Sequence, residues 1–254
     1  MKAQGALEDS LLKSRVQDAI RLCRNSYVPQ FLGFLDERQK TLTEIYIRQE
    51  HMQAQTCYWG GYPDACRTIL GIFPEYYEYG MDDFSIIPLE ALYTARESLN
   101  HRDFLGSLMG LGIKREVVGD ILVEEGRCVV FVSSGMSEYI CSQWNKAGKL
   151  SIKCSVPYEL KIPQSSGFLE ISGTIASARL DCAVAGILKI SRSSAVDLIV
   201  QRHINLDFLE CTDVSKCIAS GQTLSAQGYG KYKIDEIGPM TKKGRLILRA
   251  RKYL

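Results

Sequence analysis

The chain has 254 residues, 46% hydrophobic and 24% charged, the balance of a folded globular protein and not of a disordered one. No apolar run approaches the ~18 residues needed to span a bilayer, and the N-terminal "MKAQGALEDSLLKSRVQDAI" reads as an amphipathic helix carrying acids. A cytoplasmic protein with no membrane partner is expected. Net charge is +2 but uneven: residues 172–254 hold 13 Lys+Arg against 7 Asp+Glu, a basic third that suits a polyanion or is simple solubility charge.

Residues 7–24 read as a helix with Leu7, Leu11, Leu12, Val16, Ala19, Ile20 and Cys23 on one face. "PQFLGFLDERQKTLTEIYIRQ" continues in helical style. "CYWGGYPDACRTIL" gives an aromatic strand before Gly60-Gly61 and a short helix from Asp64. "GIFPEYYEYG" is a turn-rich connection, which closes a small α/β unit near Gly80. From there "FSIIPL" reads as a strand and "HRDFLGSLMGLG" as a helix ending at glycine. "GDILVEEGRCVVFV" gives two strands about a turn, and "SSGMSEYICSQWNK" a helix with Met136, Tyr139, Ile140 and Trp144 inward. "LSIKCSV" is a last strand. The order β-α-β-β-α-β is that of a ferredoxin-like, RRM-like unit. Its third strand, "EGRCVVFVS", lacks the stacking aromatics of an RNA-recognition motif, so RNA contact and a scaffold role both stay open. Residues 157–173, rich in Pro, Ser and Gly, read as a linker.

The C-terminal third begins with a helix, "ARLDCAVAGILK", which Ser177 can cap. A tight corner and a second helix, "SAVDLIVQR", follow. "HINLDF" alternates like a strand through Phe208, and "QTLSAQGYGKYKIDEIG" gives two more strands around Gly-Tyr-Gly. "GRLILRARKYL" closes the sheet with Leu246, Leu248 and Ala250 on one side and Arg245, Ile247, Arg249 and Arg251 on the other. The fold class is α+β: an N-terminal α/β unit (1–80), a ferredoxin-like middle domain (81–160) and a two-helix corner on a small sheet (172–254).

The corner carries an oddity. Ser191 is a natural N-cap, yet Arg192 follows it at the positive end of the helix macrodipole, where a cation is disfavoured. Two readings explain Arg192 and its neighbour Arg179: a docked phosphate, or an ion pair with Asp181 or Asp197. Lys189, Ser191, Ser193, Arg202, Lys231, Lys233, Lys242, Lys243 and Arg245 complete the set of candidate contacts to a polyanion, which the resemblance given below implies is RNA, while "KRE" (114–116) is an exposed basic turn.

Catalytic signatures are missing. Gly110-x-Gly112 follows a helix instead of joining a strand to one, so it is a C-cap and not a dinucleotide loop. Nine cysteines include no C-x-x-C pair and read as reduced thiols; His51, His101 and His203 are scattered, and Cys57 and Cys66 have no histidine placed to activate them. No metal and no cofactor are expected.

The run "SARLDCAVAGILKISRSSAVDLIVQRHINLD…SGQTLSAQGYGKYKI" resembles the S-four domain, an RNA-binding module. The features that carry it are Arg179-Leu180-Asp181, Ser191-Arg192-Ser193, Ala195, Leu198-Ile199 and Gly228-x-Gly230-Lys231. Departures are Arg202 where glycine is usual, Asp207-Phe208 for Asn-Gly, Gln222 for an acid and Lys231 for arginine. Pseudouridine synthases carry a similar arginine-leucine-aspartate, but here Asp181 lies inside the module and no catalytic domain follows it. With "FLGFLDERQ", "WGGYPDACR", "HRDFLGSLMGLGIKREVVGDILV" and "TKKGRLILRARKY", essentially the whole chain resembles the YlmH family, found near cell-division genes in Gram-positive bacteria; Cys66 stands where the family tends to have an acid. The resemblance implies RNA binding on the ribosome; without a catalytic motif a non-enzymatic binder is expected, and a monomer is the expected state though the sequence leaves oligomerisation open. The partners would be rRNA and tRNA on the large ribosomal subunit carrying stalled peptidyl-tRNA, in translation quality control. An RNA-modifying enzyme and a cell-division adaptor are the alternatives.

Overall fold

Apolar side chains at helical spacing bury one stripe of an N-terminal helix, and this stripe seeds the first core. In a computed structural model, which describes residues 2–49, 55–94, 98–163 and 167–253, helix α1 (Lys2–Ser26) lays Leu12, Val16, Ala19, Ile20 and Cys23 on a three-stranded sheet. Leu7 and Leu11 lie on the exposed side instead of in the expected stripe, being 61% and 56% accessible. Strands β1 (Gln30–Leu35), β2 (Gln55–Trp59) and β3 (Thr68–Phe73) are ordered β1-β3-β2, with α2 (Glu37–Gln49) between the first two. Two expectations are corrected here. "QFLGFL" is a strand, since a six-residue apolar run fits either period and its pairing with β3 decides. No helix starts at Asp64: its left-handed φ of 63° sits in a turn, and the chain enters β3 at Thr68. His51 lies outside the described residues.

The next elements are β4 (Ile86–Leu92), α3 (His101–Gly110), β5 (Val118–Glu124), β6 (Arg127–Ser133), α4 (Ser134–Gln143), the short pair β7 (Lys146–Ala147) and β8 (Leu150–Ser151), and β9 (Lys153–Ser155). Their four-stranded antiparallel sheet runs β5-β6-β4-β9. Asn100 caps α3, accepting the Arg102 amide. Phe104 and Leu108 of α3 and Ile140 of α4 pack with Trp144 on Cys128, Val130 and Val132 of β6. Tyr139, expected inward, is 45% accessible.

Strand β6 is buried on both faces. Its alternate residues Val129 and Phe131 pack against Phe34, Ile69 and Phe73 of the first sheet, with Phe84 between. Phe131 stacks on Tyr62 with ring centroids 4.9 Å apart, and a Cβ on Gly61 would stand 2.4 Å from the Phe131 ring. The sheet face that an RNA-recognition motif would leave open to RNA is therefore covered by the N-terminal strands. The boundary drawn near Gly80 runs through this shared core: residues Met1–Ser165 form one compact unit and Ser166–Leu254 a second.

The second unit starts with β10 (Phe168–Ile175). Its first six residues fall in the expected linker (157–173), but all eight residues of the strand pair with β15 (Leu246–Tyr253). As an edge strand it buries little apart from Ile175, so no alternation marked it. Helices α5 (Leu180–Leu188) and α6 (Arg192–Val200) precede β11 (Ile204–Leu206), β12 (Leu209–Glu210), β13 (Thr223–Ala226) and β14 (Gly230–Met240). The six strands run β10-β15-β14-β13-β11-β12, and both helices bury Leu180, Val184, Ile187, Ala195 and Ile199 against Leu224, Tyr232, Ile234, Leu248 and Ala250. Phe208 does not continue β11. Asp207 and Phe208 take left-handed φ values of 48° and 67° in the tight turn to β12, which explains why Asn-Gly is common there. Among the described residues no helix is long and apolar enough to cross a membrane. The chain is an α+β protein.

Candidate nucleic-acid interface

Asp181 organises the corner. Its side chain is 2% accessible, on the first turn of α5. Arg179 donates from Nε to Oδ1 at 3.1 Å and from Nη2 to Oδ2 at 3.3 Å. Arg192, eleven residues on, donates from Nε and Nη2 to Oδ2 at 2.9 and 2.7 Å, and the Cys182 amide donates to Oδ1 at 2.9 Å. Burial pushes the Asp181 carboxyl up, but the two guanidinium hydrogen bonds and the amide outweigh it and hold the group at about 2. The ion-pair reading of Arg192 is therefore met, with Asp181 and not Asp197. One buried carboxylate fixes two arginines whose side chains are 40% and 59% accessible. Nη1 of each makes no hydrogen bond among the described residues, so the pair presents a clamped cationic edge.

The two helix starts differ. Ser177 does not cap α5: the N-cap is Arg179, and the amides of Leu180 and Asp181 donate to the carbonyls of Lys216 and Val214. Those donors are spent on the 213–216 loop. At α6, Ser191 is the N-cap and accepts the Ser194 amide at 3.1 Å, while its hydroxyl also meets those of Ser193 and Ser194. Helix geometry gives the first-turn amides of Arg192 and Ser193 no intrahelical partner. These donors, the exposed serines and Arg192 all belong to the first turn of α6, and open first-turn amides beside a cation suit an oxyanion.

The other candidates do not all lie by this turn. Lys189 is the exposed C-cap of α5, two residues before Ser191, in a left-handed conformation (φ 55°). Arg202 (φ 66°) ends α6 and pairs with Glu210 at 2.7 Å. Lys231 and Lys233 alternate with the core residues Tyr232 and Ile234, so they lie on the sheet face away from the helices. There Lys231 sits over the rings of Phe208 and Tyr253, and Lys233 donates to the Gly221 carbonyl. Lys242 and Lys243 are exposed in the β14–β15 turn, whereas Arg245 is tied to Thr174 by two hydrogen bonds of 2.9 and 2.7 Å. Arg249 and Arg251 pair with Glu236 and Asp235. Thus Arg179 and Arg192 meet on Asp181, Ser191 and Ser193 meet at the start of α6, Lys189 lies two residues before them in the chain, and the remaining cations are elsewhere on the unit.

Lys189→Gly separates stability from charge. Glycine relieves the left-handed strain at a helix C-terminus, so the unit should gain about 0.5 kcal/mol after the unfolded-state entropy of glycine is allowed for. Thermal denaturation checks this, while loss of the cation should weaken RNA binding several-fold.

Residues 80–159 match the family described as "Putative RNA-binding domain in YlmH". The chain is 29% identical over 229 residues to "Ribosome-associated protein quality control protein P2" of Bacillus subtilis, covering 89% of this chain and 88% of that one. Its fold is similar to "Cell division protein ylmH from Streptococcus pneumoniae", with a TM-score of 0.53, 21% identity, and coverage of 59% of this chain and 91% of the other. The chain is similar to YlmH-type proteins over most of its length, and residues 80–159 carry the match to the family's domain.

Proposed function

We propose that this protein is a non-enzymatic RNA-binding protein that works on the ribosome. It docks its C-terminal unit, an S-four domain, on ribosomal RNA or tRNA through the α5–α6 corner. The observation that carries this reading is the clamp: Arg179 and Arg192 fixed on buried Asp181 beside the open amides of α6. Such a site is preorganised, so little side-chain entropy is lost when a phosphate binds. The site grips backbone and positions the protein without reading sequence. Similarity to a protein named for ribosome-associated quality control favours the ribosome as the setting, and the family resemblance in the sequence implies the large subunit carrying stalled peptidyl-tRNA as the target.

Sedimentation with large ribosomal subunits, and filter binding to ribosomal RNA fragments, test the reading. Neutralising about four phosphates predicts that affinity falls about a hundredfold between roughly 50 and 200 mM salt. Affinity that does not change with salt, or no RNA binding at either salt, would sink it.

A further inference from the structure

The first unit has a cationic cleft that the corner does not explain. It encloses about 370 Å³ between β1, the start of α2 and the turn before β5, and its charged lining is Arg15, Asp36, Arg67, Lys114, Arg115 and Glu116. Gly33 lets the turn approach: a Cβ there would stand 2.6 Å from the Glu116 carbonyl oxygen. Both carboxylates of the lining are engaged. Glu116 pairs with Arg15 at 3.1 Å, and Asp36 accepts the Gln39 amide at 2.8 Å at the start of α2.

Arg67 and Arg115 are held differently. Both are half-buried, and both are fixed by carbonyls alone. Arg67 donates from Nε to Val118 at 3.0 Å and from Nη2 to Phe34 and Arg115 at 2.8 and 3.1 Å. Arg115 donates from Nη1 to Val118 and Gly119 at 2.7 and 3.2 Å. Neither forms an ion pair among the described residues. Asp120 lies behind them, with its oxygens taken by the Tyr62 hydroxyl and the amides of Cys66 and Arg67. Burial, then the Arg115 charge, push Arg67 down to about 10, which leaves it a cation at neutral pH, and burial pushes Arg115 down as well. Asp36 and Asp120 act on both guanidiniums through space, but neither carboxylate forms an ion pair with them among the described residues. Carbonyl dipoles fix their planes and leave Nη1 of Arg67 and Nε and Nη2 of Arg115 without a hydrogen bond among the described residues. Guanidinium forks of this kind match a tetrahedral oxyanion bidentately.

We propose that this cleft binds a phosphate group, carried by a free nucleotide or by an RNA strand, with Arg67 and Arg115 as its anchors and Lys114 at its mouth. The site is separate from the α5–α6 corner and stands whether or not the corner binds RNA. Proton–nitrogen spectra of the arginine Nε–H groups in the full chain test it, because the Arg67 Nε–H bonded to Val118 should exchange slowly; Arg67→Lys and Arg115→Lys assign the signals. Inorganic phosphate, AMP and the octanucleotide r(U)8 are titrated in turn against chloride at matched ionic strength. A saturable shift of both signals is expected. Saturation at lower concentration with AMP than with r(U)8 identifies a nucleotide site, and the reverse order identifies a strand site. Lys114→Gln/Arg115→Gln should weaken phosphate about tenfold, read at Arg67 Nε. Arg179→Gln/Arg192→Gln should leave this response intact, so failure of the corner and failure of the cleft are distinguishable. No saturable shift in the unmodified protein with any of the three probes, or an equal shift with chloride, overturns the proposal without recourse to a variant.

Discussion

Replacing Asp181 with alanine is expected to cost the C-terminal unit about 2 kcal/mol. Breaking a buried pair by removing one partner commonly costs ~3–5 kcal/mol, because an uncompensated charge stays buried. Here the two arginines are partly accessible and can rehydrate, which places the figure below that range. For a unit of this size, calorimetry should show a fall in melting temperature of about 10 °C. The pH dependence has a definite sign. The native carboxyl sits at about 2 against an ordinary 3.8. Between these values the unfolded chain binds more protons than the native one, so stability falls as pH falls. The contribution of Asp181 is complete above about pH 4 and is lost as pH approaches 2. Asp181→Asn should flatten the stability curve over that window, and a variant whose acid limb matches the parent would remove Asp181 from the role assigned here.

The same residue shows what was legible in the sequence. Helices with one apolar stripe declared themselves: Val16, Ala19 and Ile20 in α1, and Phe104 and Leu108 in α3, follow from local spacing. The strands of β14 and β15 did so by alternation. Short apolar runs did not, because "QFLGFL" satisfies both periods until β3 pairs with it. Strand β10 was hidden for the opposite reason: an edge strand that buries little has no pattern to show. At the corner, Ser191 and the misplaced Arg192 were visible, and Asp181 was one of two possible partners. Choosing between them required knowing how α5 crosses α6. The cleft was less legible still. Arg67 and Arg115 are brought together by pairing across 48 residues, and in sequence each is a single arginine near a strand. Only the basic turn at 114–116 gave a signal. Burial of Val129 and Phe131 under the first sheet was unreadable, since a strand in a two-sided core and a strand with an open aromatic face can share the same residues.

Arg179→Gln/Arg192→Gln should weaken RNA or ribosome binding about a hundredfold and lower the slope of log affinity against log salt by about 1.5, two phosphate contacts being lost. Glutamine is the informative replacement. Glutamate would set new carboxylates against buried Asp181, and lost binding could then reflect a disrupted corner. Glutamine keeps a donor for Asp181 while removing the charge. It also leaves that carboxylate without its cations, so the double variant should lose the depressed titration of Asp181 while keeping the native circular dichroism spectrum. Arg192→Lys sharpens the test. Lysine retains the charge but not the fork, which donates from both Nε and Nη2 to Asp181. If Arg192 acts through a fixed geometry, lysine recovers the salt slope but not the full affinity. If it acts as a diffuse charge, lysine recovers both. Unchanged affinity in a folded double variant would remove the α5–α6 corner as the RNA-binding face.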